Sequence, residues 1–271
     1  MFAGVTSVGL GLLFVAFLTV GALIYFALAW QVARRTSAPM EPPLTTRSFG
    51  IPEAFLAVTL ILFFLMNISV SYRHSTVQMG TRDLVANFLL TLFIVLFVAA
   101  FLKLRRLDVE ALAGFSKTSL KRAVSMGVVL ILAATPLILL AEAVTQSFFG
   151  GGSSRQEIVD LFNTSRTLQQ RALIIVLAVV VAPISEEFIF RFFIYGVVRR
   201  YSGIVFGLFF NAALFAAAHN HLPSALPLFV LGACFTLAYE WSGSILVSMS
   251  MHTLFNSVQL VLLAFPNLYQ Q

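Results

Sequence analysis

The sequence predicts an all-α, polytopic membrane protein with about eight transmembrane helices. The first observation is the composition: 59% of the 271 residues are hydrophobic and only 10% are charged, whereas a soluble domain carries about 25% charged residues. The second observation is that apolar stretches of membrane-spanning length recur from one end of the chain to the other. No compositional break marks off a soluble region, so residues 1–271 are interpreted as a single transmembrane domain.

The N-terminal four predicted spans lie within residues 1–146. A helix that crosses a bilayer needs about 17 to 25 mostly apolar residues. Four stretches reach this length: 5–31, 51–72, 84–103 and 123–146. Backbone groups inside the hydrocarbon layer must pair within their own segment, which predicts helices and not open strands. These spans carry few polar side chains at depth, chiefly Asn67 and Asn87.

The other four predicted spans lie within residues 172–265 and carry the motifs that suggest catalysis. Their bounds are 172–198, 203–220, 223–240 and 243–265. As a helix, the first of them would be about 40 Å long, which exceeds the hydrocarbon layer of about 30 Å. We therefore expect it to tilt, bend or protrude. Pro183 cannot donate a backbone hydrogen bond and is predicted to bend this helix.

Lysine and arginine are distributed unevenly between alternate loops. Eleven lie on one side: Arg34, Arg35, Arg47, Lys103, Arg105, Arg106, Lys117, Lys121, Arg122, Arg199 and Arg200. Five lie on the other: Arg73, Arg82, Arg155, Arg166 and Arg171. Because these residues concentrate in cytoplasmic loops, both termini are predicted to lie outside, in the plasma membrane if the protein is prokaryotic. Such short basic loops indicate topology and not nucleic-acid binding, so membrane lipids are the expected surroundings.

A charged motif, Glu186, Glu187 and Arg191, stands inside the span 172–198. Ionisable groups at bilayer depth cost roughly 2.5–3.5 kcal/mol each, so partners or water are expected there. Glu187 and Arg191 are four residues apart, in the order that favours an ion pair. Glu186 points about 100° away on the helix and lacks that cation, which makes it a candidate general base. The alternative is a purely structural polar contact between helices.

Two histidine motifs follow in the later spans. His219 stands four residues after Phe215 at the end of a span, where an interface role is the alternative to catalysis. His221 competes with it but lies nearer the predicted boundary. His252 and Asn256 lie one turn apart on one helix face, and both could donate hydrogen bonds to a developing oxyanion. Three of the last four spans thus carry polar residues at helical spacing.

Other protease chemistries are constrained by the sequence. A His-Glu-x-x-His zinc motif is absent, because no glutamate directly follows any of the four histidines. The aspartates all fall in predicted loops, which argues against an aspartyl dyad: Asp83, Asp108 and Asp160. A serine–histidine dyad stays open, although Ser242 and Ser244 lie in a predicted turn. A metal held by two histidines and two glutamates also stays open. The expected pairing of Glu187 with Arg191 makes the metal site less attractive.

The three motifs, in this order, resemble those of the CPBP family of membrane proteins: Glu186-Glu187-x-x-x-Arg191, Phe215-x-x-x-His219 and His252-x-x-x-Asn256. This family includes the Rce1-type CAAX prenyl endopeptidases and bacteriocin-processing or immunity proteins. The resemblance covers about 70 residues, whereas the first four spans match only in hydropathy.

The resemblance implies an eight-helix bundle that encloses a water-filled polar cavity. It also implies a glutamate protease that needs no metal or other cofactor. In this interpretation Glu186 and His219 activate the hydrolytic water, while His252 and Asn256 stabilise the tetrahedral oxyanion. The implied substrate is a peptide or a lipidated protein C-terminus, which in the CAAX enzymes is a prenylated tetrapeptide cut from the cytosolic side.

The resemblance further implies that Glu187 and Arg191 position the site and balance its charge. We therefore expect an intramembrane endopeptidase. One alternative is a non-catalytic immunity or binding protein on the same scaffold. Another is a transporter or channel that uses Glu186 and Arg191 as a gate, but such a protein more often shows internal repeats, and we find no convincing repeat in the sequence.

Overall fold

The computed structural model describes residues 2–37, 49–73, 80–149, 162, 165 and 167–264, where helices are joined by short connections and no strand is present. Seven apolar stretches among these residues are long enough to cross a membrane. The longest, Leu168–Ala218, has 51 residues and is interrupted at Gly203, whose φ of 80° and ψ of 171° are not helical. It therefore holds two crossings, and the prediction of a polytopic all-α protein with about eight spans is confirmed.

Five helices form the N-terminal half: α1 (Phe2–Ser37), α2 (Ile51–Arg73), α3 (Thr81–Leu104), α4 (Val109–Ala113) and α5 (Leu120–Phe149). The loop assignment of one aspartate is wrong, because Asp83 lies in the first turn of α3. Its carboxylate accepts a hydrogen bond from the Gly80 backbone N–H at 2.8 Å. Negative charge is favourable at a helix N-terminus, so α3 begins a few residues before its apolar stretch.

The C-terminal half contains α-helices and two π-helical segments: α6 (Leu168–Val176), π1 (Leu177–Val181), α7 (Ala182–Glu186), π2 (Glu187–Tyr195), α8 (Gly196–Ala218), α9 (Ala225–Ser242) and α10 (Ile245–Ala264). The backbone dihedral angles around Pro183 are helical, for example at Val181 and Glu186. The irregularity expected at this proline takes the form of wider π-helical turns before and after α7. A proline removes one i→i−4 donor, and π-bulges are one way in which a helix absorbs such a defect.

Burial separates a lipid-facing half from a packed half. Only 17% of the residues in each of the first three spans are buried within the protein, against 56% in Leu222–Ser242. The large exposed side chains of α1–α3 are mostly leucine, valine and phenylalanine, which suits contact with lipid chains. The core is therefore centred on α9, which packs against α8, α10 and α5, while α10 also packs against α5.

Two glycines allow the close approach that holds α10 in place. Gly114, at φ 70°, follows α4 and touches the backbone carbonyl of Gly243, in the turn between α9 and α10. On α5, a Cβ atom added to Gly127 would lie 2.9 Å from the Cβ atom of Ser250. Small residues let helix backbones approach closely in membranes. Because α10 carries His252, these contacts fix one wall of the candidate site.

Polar contacts tie the helices together at one end of the bundle. Three of them join different helices: Arg35 Nη1 to the Trp241 carbonyl at 2.8 Å, Arg105 Nε to Glu53 Oε1 at 3.0 Å, and Arg199 Nη2 to Glu240 Oε1 at 2.8 Å. The hydroxyl of Tyr195 also donates to Glu240 Oε2, at 2.8 Å. Since Tyr195 is the last residue of π2, this layer anchors the segment that carries the charged motif.

Candidate active site

Four segments bring the candidate side chains to one region of the packed half. Glu186 ends α7, and π2 begins directly after it and carries Glu187 and Arg191. His252 lies on α10, which packs against π1, α7 and π2. His219 follows the last residue of α8. The region is therefore built from α7, π2, α10 and the C-terminal end of α8.

Glu187 is the centre of a buried charged cluster. Its Oε1 atom lies 3.1 Å from Arg191 Nη1 and 2.9 Å from His252 Nδ1. The side chains of Glu187 and Arg191 are completely buried, and that of His252 is nearly so. The ion pair expected from the four-residue spacing is present, and a histidine from a distant span completes it. Removing one partner of such a cluster would leave an uncompensated buried charge.

Aromatic rings surround the guanidinium of Arg191. Its Cζ atom lies 4.0 Å from the ring centroid of Phe215 and 5.2 Å from that of Phe235. Among the described residues, no nitrogen of the guanidinium has a hydrogen bond of good geometry. A cation is attracted to the negative face of an aromatic ring, most strongly when both are shielded from water. The ion pair with Glu187 and the two rings thus replace the hydrogen bonds that a buried arginine normally makes.

Glu186 lies in a different environment from its neighbour. Its side chain is 25% exposed, whereas that of Glu187 is 0% exposed. Its Oε2 atom is shielded and has no hydrogen-bond partner among the described residues. The nearest histidine nitrogen, His252 Nε2, lies 3.9 Å away. Burial therefore distinguishes the two adjacent carboxylates: Glu187 is enclosed and paired with Arg191 and His252, and Glu186 is partly exposed.

The contact between His252 and Glu187 constrains the protonation of the imidazole. A carboxylate only accepts hydrogen bonds when ionised, so Nδ1 of His252 carries the proton that it donates to Glu187. The Nε2 atom, which faces Glu186, then accepts hydrogen bonds if the ring is neutral and donates them only if the ring is an imidazolium. In the charged form, Glu186, Glu187, Arg191 and His252 would sum to zero charge.

His219 packs against the ring of Phe215. Its Nδ1 atom is 2.7 Å from the Phe215 carbonyl, so Nδ1 donates and Nε2 is the acceptor in the neutral ring. The ring centroid of Phe215 lies 4.7 Å from that of His219 and 5.9 Å from that of His252. Phe215 thus touches both histidines and Arg191, and the spacing of the second motif places this shared ring beside His219.

Asn256 binds the backbone of π1. Its Nδ2 atom donates to the Ala178 carbonyl at 2.8 Å, which uses one of the two amide hydrogens. The bond crosses from α10 to the π-helical segment before Pro183. Asn256 therefore holds the irregular helix against α10, and its second hydrogen is left over for another acceptor. No sequence signal points to Ala178, because the contact is made by a backbone atom.

Other candidates from the sequence are engaged elsewhere. His221 Nδ1 contacts Ser224 Oγ at 2.8 Å, outside the cluster. The hydroxyl of Ser242 donates to backbone carbonyls in the turn between α9 and α10, including that of Ser244 at 3.2 Å. These contacts place His221 and Ser242 outside the charged cluster. Within the described residues, no three His, Cys, Asp or Glu side chains are grouped so as to hold a metal ion.

One contributor to the site has no signal in the sequence. Phe235 on α9 touches both Arg191 and His252, yet α9 carries none of the three polar motifs. The chain has 28 phenylalanines, and nothing in the spacing of this one separates it from those that face lipid. Its role becomes visible only when α9 is packed against π2 and α10.

Comparison with known proteins bears on the same region. Residues 168–258 match the family model described as type II CAAX prenyl endopeptidase Rce1-like. The matched segment contains all six candidate residues, from Glu186 to Asn256, and excludes the first four spans. Comparisons with curated proteins and with solved structures give no significant match. The chain is therefore a multi-pass membrane protein in which residues 168–258 are similar to the Rce1-like family.

Proposed function

We propose that this protein is an intramembrane endopeptidase that hydrolyses a peptide bond near the membrane surface, in CAAX-type C-terminal processing. The observation that carries the proposal is the contrast between the two adjacent glutamates. Glu187 is fully buried and its Oε1 is shared by Arg191 and His252, whereas Glu186 is 25% exposed and its nearest histidine nitrogen lies 3.9 Å away. In each carboxylate the Oε2 atom has no hydrogen-bond partner among the described residues. A partly exposed carboxylate can accept a proton from a water molecule that reaches it, whereas a buried carboxylate held by a cation cannot readily do so.

In the proposed reaction, Glu186 takes a proton from a water molecule, with His219 as its partner in orienting that water. The water oxygen forms a bond to the carbonyl carbon of the peptide, and the carbonyl π electrons move to the oxygen. The tetrahedral intermediate then collapses, the C–N bond breaks, and the proton held by Glu186 passes to the leaving amine. The carboxylate is restored at the end of the cycle.

We assign stabilisation of the oxyanion to His252 and Asn256. For His252 this role requires the imidazolium, because Nδ1 is engaged by Glu187 and Nε2 donates only in that form. For Asn256 it requires the second amide hydrogen, because the first is bound to the Ala178 carbonyl. Glu187 and Arg191 act by position and charge, since Glu187 holds Nδ1 while Arg191 compensates the carboxylate. Removing a single oxyanion donor typically lowers kcat by about a hundredfold or more.

We propose that the hydrolysis needs no metal ion. The Oε1 atom of Glu187 is already shared between Arg191 and His252, so binding a metal there would compete with a cation and a hydrogen bond. A catalytic zinc site typically has three protein ligands, and no three His, Cys, Asp or Glu side chains among the described residues are grouped so as to hold a metal ion. The expected outcome is that turnover persists after dialysis against a chelator and is not increased by added Zn²⁺.

A prenylated peptide is the first substrate to test, because the matched family is named for CAAX prenyl endopeptidases. Purified protein is incubated with a farnesylated C-terminal peptide, and the products are identified by mass spectrometry. We expect release of the C-terminal tripeptide by the wild type. Glu186→Gln removes the proton acceptor but keeps the size of the side chain, so kcat should fall by at least about a hundredfold.

The matched control is Glu142→Gln, which changes an acidic residue on α5 whose carboxylate accepts only a local bond from Gln146, at 3.1 Å. Turnover by this variant should equal that of the wild type. Wild-type turnover by Glu186→Gln would refute the assignment of the base. Tight binding of the peptide without cleavage by the wild type would favour the non-catalytic binding protein.

A further inference from the structure

We infer that Phe235 is a positioning residue of the candidate active site, which extends the proposed function to a residue outside its three motifs. Phe235 is fully buried on α9. Its ring centroid lies 5.0 Å from that of His252, with an interplanar angle of 34°, and 5.2 Å from the guanidinium carbon of Arg191. A single ring therefore contacts both groups that share the Glu187 carboxylate.

The need for such a contact follows from the hydrogen bonds. Oε1 of Glu187 contacts both Nδ1 of His252 and Nη1 of Arg191. A single hydrogen bond at Nδ1 does not fix the plane of the imidazole, which could still rotate about that bond. Rotation of this ring would carry Nε2 away from Glu186, which it faces at 3.9 Å. The ring of Phe235 packs obliquely against the imidazole and blocks that rotation. Phe235 thus acts on the reaction through His252.

The contact with Arg191 gives a reason for an aromatic residue at this position. An aliphatic side chain would fill similar space, but only a ring presents a negative face to the cation. Arg191 lacks hydrogen bonds of good geometry among the described residues, so it depends on the faces of Phe215 and Phe235. If one face is lost, Arg191 is freer to move and to pull Glu187 from His252.

The test compares Phe235→Leu with a matched control, Phe193→Leu. Phe193 is also fully buried, but it packs edge-on against Phe49, at 5.9 Å between centroids, and away from the charged cluster. We expect Phe235→Leu to lower kcat at least about tenfold and to leave KM within about twofold, because the proposed role concerns His252 and not substrate binding. The control should lose thermal stability to a similar extent while keeping kcat near that of the wild type.

Equal kcat values in the two leucine variants would overturn the inference. If Phe235→Leu does not fold, 3,4,5-trifluorophenylalanine at position 235 replaces it, because fluorination weakens the negative face and nearly preserves the shape of the ring. We expect this variant to lose about threefold in kcat, and an unchanged kcat would also overturn the inference.

A second measurement does not depend on turnover. The chain has four histidines, so imidazole ¹⁵N NMR of histidine-labelled protein is simple to assign with a His252→Gln variant. The wild type and Phe193→Leu should show a single hydrogen-bonded Nδ1 signal for His252, and Phe235→Leu should broaden or shift it. An unchanged signal would overturn the positioning role. Absence of cleavage by the wild type would instead refute the proposed function, and the NMR result would still decide the inference.

Discussion

Arg191 is a buried charge that the surrounding side chains must compensate. It is a full positive charge with no exposed surface, inside a segment long and apolar enough to span the membrane. A charge at this depth costs several kcal/mol unless it is compensated. Compensation here comes from one carboxylate oxygen and two aromatic faces. The stability of the whole charged cluster therefore depends on Glu187.

Glu187→Ala should destabilise the protein strongly, because it strands Arg191 in the membrane and removes the acceptor for His252. Breaking a buried ion pair from one side costs about 3–5 kcal/mol. At about 2–4 °C per kcal/mol for a chain of this size, the Tm in detergent should fall by roughly 10 °C, as measured by differential scanning fluorimetry.

The comparison for this prediction is the double variant Glu187→Leu, Arg191→Met. Replacing both members of a buried pair by apolar residues is often neutral or stabilising, so the double variant should regain most of the lost Tm while remaining inactive. An unchanged Tm in Glu187→Ala would show that the pair contributes little to stability. If the double variant is as unstable as the single one, the loss of Tm comes from altered packing and not from the uncompensated charge.

At the scale of the element, the π-helical segments set the geometry of the site. They flank α7, so Pro183 and Glu186 stand on one α-helical turn between two wider ones. In a wider π-helical turn, a backbone carbonyl no longer accepts from the N–H four residues later, as it would in an α-helix. The carbonyl of Ala178 in π1 is bound by Asn256. The candidate motif of α10 thus also contributes to the stability of the irregular helix.

Asn256→Ala should therefore lower stability as well as turnover. The lost bond across helices is worth about 1 kcal/mol in a membrane protein, which corresponds to a fall in Tm of about 2–4 °C. Ser257→Ala on the same helix is the control, because the Ser257 hydroxyl binds only the carbonyl of Thr253 one turn before it, at 2.7 Å. Loss of turnover with no change in Tm would contradict the structural part of this role.

The sequence predicts those elements that length and hydropathy determine. The spans, the break near Gly203 and the ion pair between Glu187 and Arg191 follow from apolar run length, from a gap between runs and from helical spacing. The π-helical turns, the Ala178 contact and the ring of Phe235 do not follow in this way. Each depends on how one helix packs against another, and neither a backbone carbonyl nor one phenylalanine among many has a distinctive spacing.

At the scale of the whole molecule, the two ends of the bundle differ. Among the described residues, the end that holds Arg35, Glu53 and Arg105 carries most of the basic side chains and two ion pairs, Arg105–Glu53 and Arg199–Glu240. At the opposite end, the part of α8 that follows Gly203 ends at Ala218 after only about 22 Å, less than the hydrocarbon layer of about 30 Å. His219 therefore ends a short helix, and we expect water to reach it from that end.

The orientation of the protein decides which compartment that water belongs to. Basic residues favour the cytoplasmic side, so the end with Arg35 and Lys121 should face the cytoplasm and the end with Arg82 should face outside. Two exposed positions, each near the start of its helix, test this: Arg82→Cys on α3 and Lys121→Cys on α5. Both are made in a Cys234→Ala background, which removes the only native thiol.

A maleimide that does not cross membranes should label Arg82→Cys in intact cells, and Lys121→Cys only after permeabilisation. This result would mean that the His219 end of the site faces outside, and that substrates have to reach it from the outer leaflet. Labelling of Lys121→Cys alone in intact cells would contradict the orientation predicted from charge. Such labelling would mean that the His219 end faces the cytoplasm, which is the side from which the CAAX enzymes of the resembled family cut their prenylated substrates.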